Sequence, residues 1–201
     1  MLRFKKKLFL ASKSPRRAEL LTKVGLTFEI VASDVDEKLL TISDPQELVK
    51  ASSLLKANTV SKKIENGIVI SADTVVDVSS EILGKPNDKT DAERMLNLLS
   101  GREHRVLTGF TIIDTYTMYK ITDTATTFVK FKPLLDHEIK EYIAIHNPLD
   151  KAGAYGIQDG ICAFFIEGIK GCYYNVMGSP LNKFYLSAIE FIKQYDKEQT
   201  H

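Results

Sequence analysis

Along this chain, short apolar runs alternate with stretches in which apolar residues recur every three or four positions, the rhythm of a sheet with helices on its faces. Leu8 to Ala11 is a buried strand by this pattern. The polar turn Ser12-Lys13-Ser14 then leads into a helix with Pro15 in its first turn, running through Ala18, Leu20, Leu21 and Val24 to a stop at Gly25. Phe28 to Ala32 is a second strand. A long helix follows, capped by Ser43 or Asp44, with Pro45 in its first turn, Leu48, Ala51, Leu55 and Val60 on one face, and Asn66-Gly67 at its end. Ile68 to Val76 is a strongly apolar strand interrupted by one acid, and Asp91 to Leu99 is a helix closed by Ser100-Gly101.

The segment Val106 to Phe131, rich in Thr, Ile, Tyr, Phe and Val, predicts two or three longer strands in hairpin style. After Pro133 the pattern predicts a helix over Asp136 to His146. It then predicts a strand pair, Ile161–Ile166 and Cys172–Val176, turned at 167–171, and a closing helix from near Pro180 towards Tyr195. The tail Asp196 to His201 reads as frayed. With no internal repeat, no low-complexity linker and no clean boundary, residues 1–201 are expected to form one domain, large enough to bury a substantial interior.

Composition narrows the function classes. The 27 Lys and Arg nearly balance 26 Asp and Glu, which excludes a global basic field for nucleic acid, so any anion binding must be local. The apolar run after Arg3-Phe4-Lys5-Lys6-Lys7 is too short for a signal-peptide core, and no stretch reaches transmembrane length; a cytoplasmic protein is expected, with no membrane partner. Cys162 and Cys172 are the only cysteines, lack a companion pair for zinc, and read as buried or half-buried thiols.

The candidate chemistry starts at Ser12 to Arg17. Hydroxyls, unpaired backbone donors at a helix N-terminus, and Arg16 and Arg17 together make a place to hold a phosphate; the plainer reading is a capped helix with solvated arginines. Asp73 stands among Val69, Ile70, Val75 and Val76, and a buried carboxylate must be paired, bind a metal or take up a proton. Asp34, Asp36 and Glu37 form an acidic turn, and Glu37 gains weight as a Mg²⁺ ligand only if the fold brings it near Asp73. Lys56 lies beside the buried face of the long helix and Lys85 in the turn Leu83-Gly84-Lys85-Pro86; singly, each reads as a solvated lysine. In Pro148 to Gln158, Gly153 and Gly156 allow positive φ or close approach of a ligand, and Gln158 offers both donor and acceptor to a base edge.

Taken in order, Ala11 to Arg17, Ser71 to Val76, Gly84-Lys85-Pro86, Leu99 to Arg102 with Leu107-Thr108-Gly109, Asp150 to Gln158 and Tyr174 to Leu181 resemble the Maf family of nucleoside triphosphate pyrophosphatases over nearly the whole chain. The resemblance implies an α/β fold of two lobes around a curved mixed sheet flanked by helices, similar to inosine triphosphate pyrophosphatases, with substrate in the cleft between lobes. It implies cleavage of a nucleoside triphosphate between the α and β phosphates with a divalent metal cation, Mg²⁺ or Mn²⁺. On the matching positions, Asp73 is the base that activates water, Ser12, Arg17, Lys56 and Lys85 bind substrate, and Glu37 joins Asp73 at the metal. A triphosphate carries about four negative charges, so catalysis rests on positioning and charge neutralisation. A homodimer and a link to arrest of septum formation are also implied by the family.

Family members acting on dTTP and UTP carry Arg, Thr and Gln where this chain has Arg16, Thr74 and Gln158; those acting on N7-methyl-GTP tend to have Trp, Gln and Glu. Trp stacks on a cationic methylated purine, whereas a neutral Gln satisfies the O4, N3–H pattern of uracil or thymine. The resemblance therefore implies a dTTP/UTP pyrophosphatase that also accepts modified pyrimidines such as 5-methyl-UTP and pseudouridine triphosphate. The alternatives are an N7-methyl-GTP pyrophosphatase and a non-hydrolysing nucleotide-binding regulator of septum formation. Two positions depart from the family pattern: Asp159 stands where glycine is usual, as a turn cap or an added charge near the base, and Ser179 replaces an apolar residue before Pro180.

Overall fold

The computed structural model describes residues 2–35 and 40–198. Its strands are β1 (Leu8–Leu10), β2 (Phe28–Ile30), β3 (Ile68–Val78), β4 (Glu81–Leu83), β5 (Glu103–Asp114), β6 (Lys120–Phe131) and β7 (Ile166–Lys170). The helices are α1 (Pro15–Lys23), α2 (Pro45–Ser61), α3 (Lys89–Leu99), α4 (Asp136–His146), α5 (Tyr173–Val176) and α6 (Leu181–Glu198). The strands form a seven-stranded mixed sheet in the order β2-β1-β3-β5-β6-β7, with β4 on β3. β1 runs parallel to β2 and β3, whereas β4 and β7 lie antiparallel to β3 and β6.

The chain divides into two compact units, and β3, β5 and β6 carry residues of both. The first comprises Met1–Asp73, Thr108–Ala125 and Gly178–His201. Its core is built from Leu8, Leu10, Ile68, Ile70, Phe110 and Ile112 under α1 and α6, and from Phe9, Ala11, Val69 and Ile113 under Ala57 and Val60 of α2. The second comprises Thr74–Leu107 and Thr126–Met177. There Val76, Val78, Val129 and Phe131 meet Leu96 and Leu99 of α3, Ile139 and Tyr142 of α4, and Cys162 and Phe165.

Helix α2 departs from the expected pattern at both its face and its end. Its buried residues are Val49, Ser52, Ser53, Lys56, Ala57, Val60 and Ser61, while Leu48, Ala51 and Leu55 are only half-buried. The reason is proximity: a Cβ at Gly109 of β5 would stand 2.3 Å from the Val49 carbonyl oxygen, so the helix backbone rests on the strand and only small side chains fit between. The Ser53 hydroxyl is satisfied by Lys50 O and Thr111 Oγ1. The helix stops at Ser61, short of Asn66-Gly67, because the chain turns there (Lys63 N–H to Val60 O, Ile64 N–H to Ser61 O) and brings Ile64 onto the Phe9 cluster.

The expected strand pair near the C-terminus is a second correction. Residues 161–166 fall mostly in a 3₁₀ turn (Gly160–Phe164), the expected turn at 167–171 is largely strand β7 along β6, and Cys172–Val176 leads into the short helix α5. Cys162 and Phe165, at the three-residue spacing of a 3₁₀ turn, are the residues that reach the core. Asn175 is fully buried, and its Nδ2 donates to Val106 O and Thr127 Oγ1, both at 3.0 Å. Cys162 is buried and Cys172 half-buried, both free thiols. Helix α6 extends through 196–198, and the rest of the expected frayed tail lies outside the described residues.

Two measurable consequences follow from this packing. Gly109→Ala is expected to lower the unfolding free energy by about 2 kcal/mol or more, because backbone rather than a flexible side chain must move; a lower urea midpoint at unchanged m value is the readout. His104 is buried (2% exposed), bonded to Tyr155 Oη at 2.8 Å, and burial pushes its pKa from 6.5 down to about 4, against a smaller upward pull from the Arg102 backbone. The unfolded chain therefore binds this proton first, so stability present above pH 6.5 is lost as pH falls towards 4, by up to about 3 kcal/mol. Denaturation at pH 7 and 4.5 should show that loss, and His104→Phe should flatten it.

Candidate active site

In the first unit the β1–α1 turn is organised by one arginine. Arg17 donates from Nη1 to Ser12 Oγ and from Nε to Gly178 O, both at 2.9 Å, and the Ser14 N–H reaches Ser12 Oγ at 3.2 Å. Pro15 occupies the first turn of α1 and Gly25, at φ +81°, follows its end. The turn thus brings a buried serine, the half-buried Arg17 and a helix N-terminus to one place. Beside it opens a small pocket lined by Leu10, Arg17, Ile70, Ala72, Phe110 and Phe184, with Ser71 and Ser179 as polar edges. Ser179, one of the two departures from the family pattern, is buried against it.

Lys56 and Asp73 meet directly. Lys56 Nζ donates to Asp73 Oδ1 at 2.7 Å, with side chains 7% and 14% exposed. The reading of Lys56 as a solvated lysine is corrected: the tight seating of α2 on β5 rotates this position inward. The Ser71 hydroxyl, donating to Ser53 O at 2.6 Å, ties β3 to α2 just before the pair. Asp73 is therefore partnered by a lysine. Asp34 is exposed and joined to Lys13, whose ammonium holds its carboxyl below the usual range. Asp36 and Glu37 lie outside the described residues.

In the second unit, Thr74 is half-buried on β3, Lys85 is exposed after β4, and Gln158 is exposed after the Gly-rich segment. Gly153 N–H donates to Gly84 O at 3.0 Å, joining that segment to the Lys85 turn. At φ +66°, Gly153 seats its backbone against Val76, whose Cγ2 would lie 2.7 Å from a Cβ. Gln158 Nε2 donates to Asp159 Oδ1 at 3.2 Å, and Asp159 Oδ2 accepts from Tyr142 Oη at 2.6 Å. The Asp159 side chain caps no helix here; its carboxylate faces this polar group. Lys151, almost buried, joins Asp150 at 2.9 Å and approaches Asp159 at 3.7 Å. Sequence reasoning missed Lys151 and Tyr142 as parts of the group; the Asp150-Lys151 pair ahead of two glycines was the available signal for the first.

Among the described residues no three His, Cys, Asp or Glu side chains converge as a metal site. A hard divalent cation that keeps waters and takes substrate phosphate oxygens needs only one or two carboxylates, and Asp73, half-buried beside Lys56, fits that donor set.

The Lys56–Asp73 pair should be strongly coupled. In a double-mutant cycle of Lys56→Met and Asp73→Asn, each single change is expected to cost more than half the double, with a coupling energy of about 1–3 kcal/mol from urea denaturation.

The profile of the Maf-like protein family matches residues 7–190. The dTTP/UTP pyrophosphatase of Geotalea uraniireducens is 49% identical over 181 residues, covering 90% of this chain and 93% of that one. That of Clostridium perfringens is 50% identical over 181 residues, covering 89% and 94%. Among solved structures, the Staphylococcus aureus Ham1 protein aligns with a TM-score of 0.47 at 16% identity, over 63% of this chain and 72% of that one.

Proposed function

The chain belongs to the Maf-like protein family, and from that premise we infer that it hydrolyses dTTP and UTP to the nucleoside monophosphate and pyrophosphate. The observation that carries the reading at the level of the site is the Lys56–Asp73 pair, a half-buried carboxylate held by a lysine, in the unit where Arg17 and Ser12 also face each other. The modified pyrimidines 5-methyl-UTP and pseudouridine triphosphate are substrates on the same reading, since their N3–H and O4 are unchanged. No described helix is long and apolar enough to cross a membrane, and a cytoplasmic setting is part of the proposal.

In the proposed mechanism, Ser12, Arg17, Lys56 and Lys85 bind the phosphates, with Arg17 pre-aimed by its bonds to Ser12 and Gly178. Asp73 takes a proton from the attacking water as its oxygen adds to phosphorus and the α–β bridging bond breaks. Lys56 keeps that carboxylate oriented and lends charge to the phosphates as they crowd in. Asp73, with Glu37, is the proposed ligand of a divalent cation, which would neutralise phosphate charge and polarise the reacting oxygens. Arg16, Thr74 and Gln158 read the base, and their identity favours the pyrimidine reading over N7-methyl-GTP.

The test is pyrophosphate release from dTTP, UTP, CTP, GTP and N7-methyl-GTP with Mg²⁺ or Mn²⁺, beside Asp73→Asn. Preference for dTTP and UTP, with a loss of about 10³-fold or more in the variant, is the expected result. Turnover of N7-methyl-GTP instead would overturn the base assignment, and nucleotide binding without turnover would indicate the non-hydrolysing regulator.

A further inference from the structure

The hydrogen bonds around Gln158 have a direction that their chemistry dictates. The Gly156 N–H can only donate, and it donates to Tyr142 Oη at 2.9 Å. Tyr142 is fully buried, so its one hydroxyl proton is spent on Asp159 Oδ2 at 2.6 Å. The Asp159 carboxylate only accepts, and what Gln158 turns towards its Oδ1, at 3.2 Å, is therefore Nε2. Among the described residues this is the one hydrogen bond Gln158 makes. Its carbonyl Oε1 and second Nε2 proton make no hydrogen bond to the described residues.

Packing restrains the same group. A Cβ at Gly156 would lie 2.7 Å from Gln158 Nε2 and 2.8 Å from both Asp159 Oδ2 and Lys151 Cε, so the three side chains close over the glycine. Asp159 and Lys151 are 11% and 10% exposed, with Lys151 Nζ 3.7 Å from Oδ2. The carboxylate is thus fixed from behind, and Gln158, although exposed, is folded back against it.

We propose that Asp159 is a positioning residue that locks the Gln158 amide with its carbonyl towards the base, so that this chain accepts bases offering N3–H, uracil and thymine, and rejects cytosine. The inference rests on the reading of Gln158 as a base contact. Uracil and thymine present an O4 acceptor beside an N3–H donor, which the locked amide matches with Nε2–H and Oε1. Cytosine presents the reverse, an N4 donor beside an N3 acceptor, and meets two like-facing pairs. An amide free to turn over would serve both bases; the Asp159 carboxylate removes the orientation that suits cytosine.

The decisive substitution is Asp159→Asn, which keeps shape and reverses polarity. Tyr142 still donates, so the new amide must give its oxygen to Tyr142 and turn its NH₂ to Gln158, whose carbonyl then rotates inward and whose NH₂ faces the base. Steady-state kcat/KM for pyrophosphate release from UTP and CTP should show the UTP:CTP ratio falling by about tenfold or more, mainly through KM, with CTP improving in absolute terms. A merely structural role would lower both substrates together. The wild-type carboxylate only accepts with or without Tyr142, so Tyr142→Phe alone should leave the ratio close to wild type, whereas combined with Asp159→Asn it removes the group that sets the new amide's polarity, and the gain on CTP should shrink. An unchanged ratio in Asp159→Asn overturns the proposal, and if that variant does not fold, an unchanged ratio in Asp159→Ala, which frees the Gln158 amide to turn over, does so. A wild-type chain inert towards every pyrimidine triphosphate would instead overturn the functional reading itself, whereas good UTP turnover with unaltered ratios in the Asp159 variants sinks only this inference.

Discussion

Helix α2 can lie where it does because residue 109 has no side chain. With the Val49 carbonyl 2.3 Å from where a Cβ would sit, any other residue would push the helix off β5. That closeness selects what the helix may present to the sheet: Ser52, Ser53 and Ala57 are small, and the two hydroxyls bring polar atoms into a buried layer. Ser53 is satisfied from two sides, by Lys50 O and Thr111 Oγ1, and its own carbonyl takes the Ser71 hydroxyl. The same rotation that buries these small residues carries Lys56 inward to Asp73. The site's central pair is thus a consequence of a glycine on a strand far from it in sequence.

Much of the fold was legible because the elements that carry it are long or clearly punctuated. Helix α4 occupies Asp136–His146 as the pattern predicts, and the Thr- and Val-rich segment forms β5 and β6. Periodicity failed where a run was short. Residues 161–166 are apolar enough for a strand, yet only Cys162 and Phe165 are fully buried in the core, with Ile161 and Ile166 packed at its edge, and the polar-looking 166–170 pairs with β6 as an edge strand whose side chains need little burial. The face of α2 differs from the expected one for another reason: apolar content points to Leu48, Ala51 and Leu55, whereas backbone proximity at Gly109 favours serines there and puts the leucines at the margin. No count of apolar residues contains that information.

The site divides in the same way. Ser12 and Arg17 stand out in the sequence through a turn opening a helix and Asp73 as an acid in an apolar strand, whereas Lys56 reads alone as a solvated lysine and gains a role only through the family resemblance. Their mutual pairing was not visible, because it depends on which way α2 is rotated. Asp159 stands out in the sequence as a departure from the family pattern, a turn cap or an added charge near the base. Its significance depends on Tyr142, seventeen positions away on another element, whose phenol comes to it at 2.6 Å.

A lysine and a carboxylate at 2.7 Å, 7% and 14% exposed, are no obvious gain in stability. Their attraction, about 4 kcal/mol at 4 Å with an effective dielectric constant near 20, is opposed by a desolvation cost of several kcal/mol per ion when burial is complete. Partial exposure lowers both quantities together, leaving a pair close to break-even. What the pairing does give is geometry: each side chain is held in one place while still reachable by solvent and by a ligand. An anion entering beside Lys56 can share the ammonium with Asp73 without either group first being drawn out of a sealed core. Full burial would have made the pair rigid but closed, and full exposure would have left two solvated side chains with no fixed relation; the intermediate depth satisfies a charge-binding site and the stability of the chain at once.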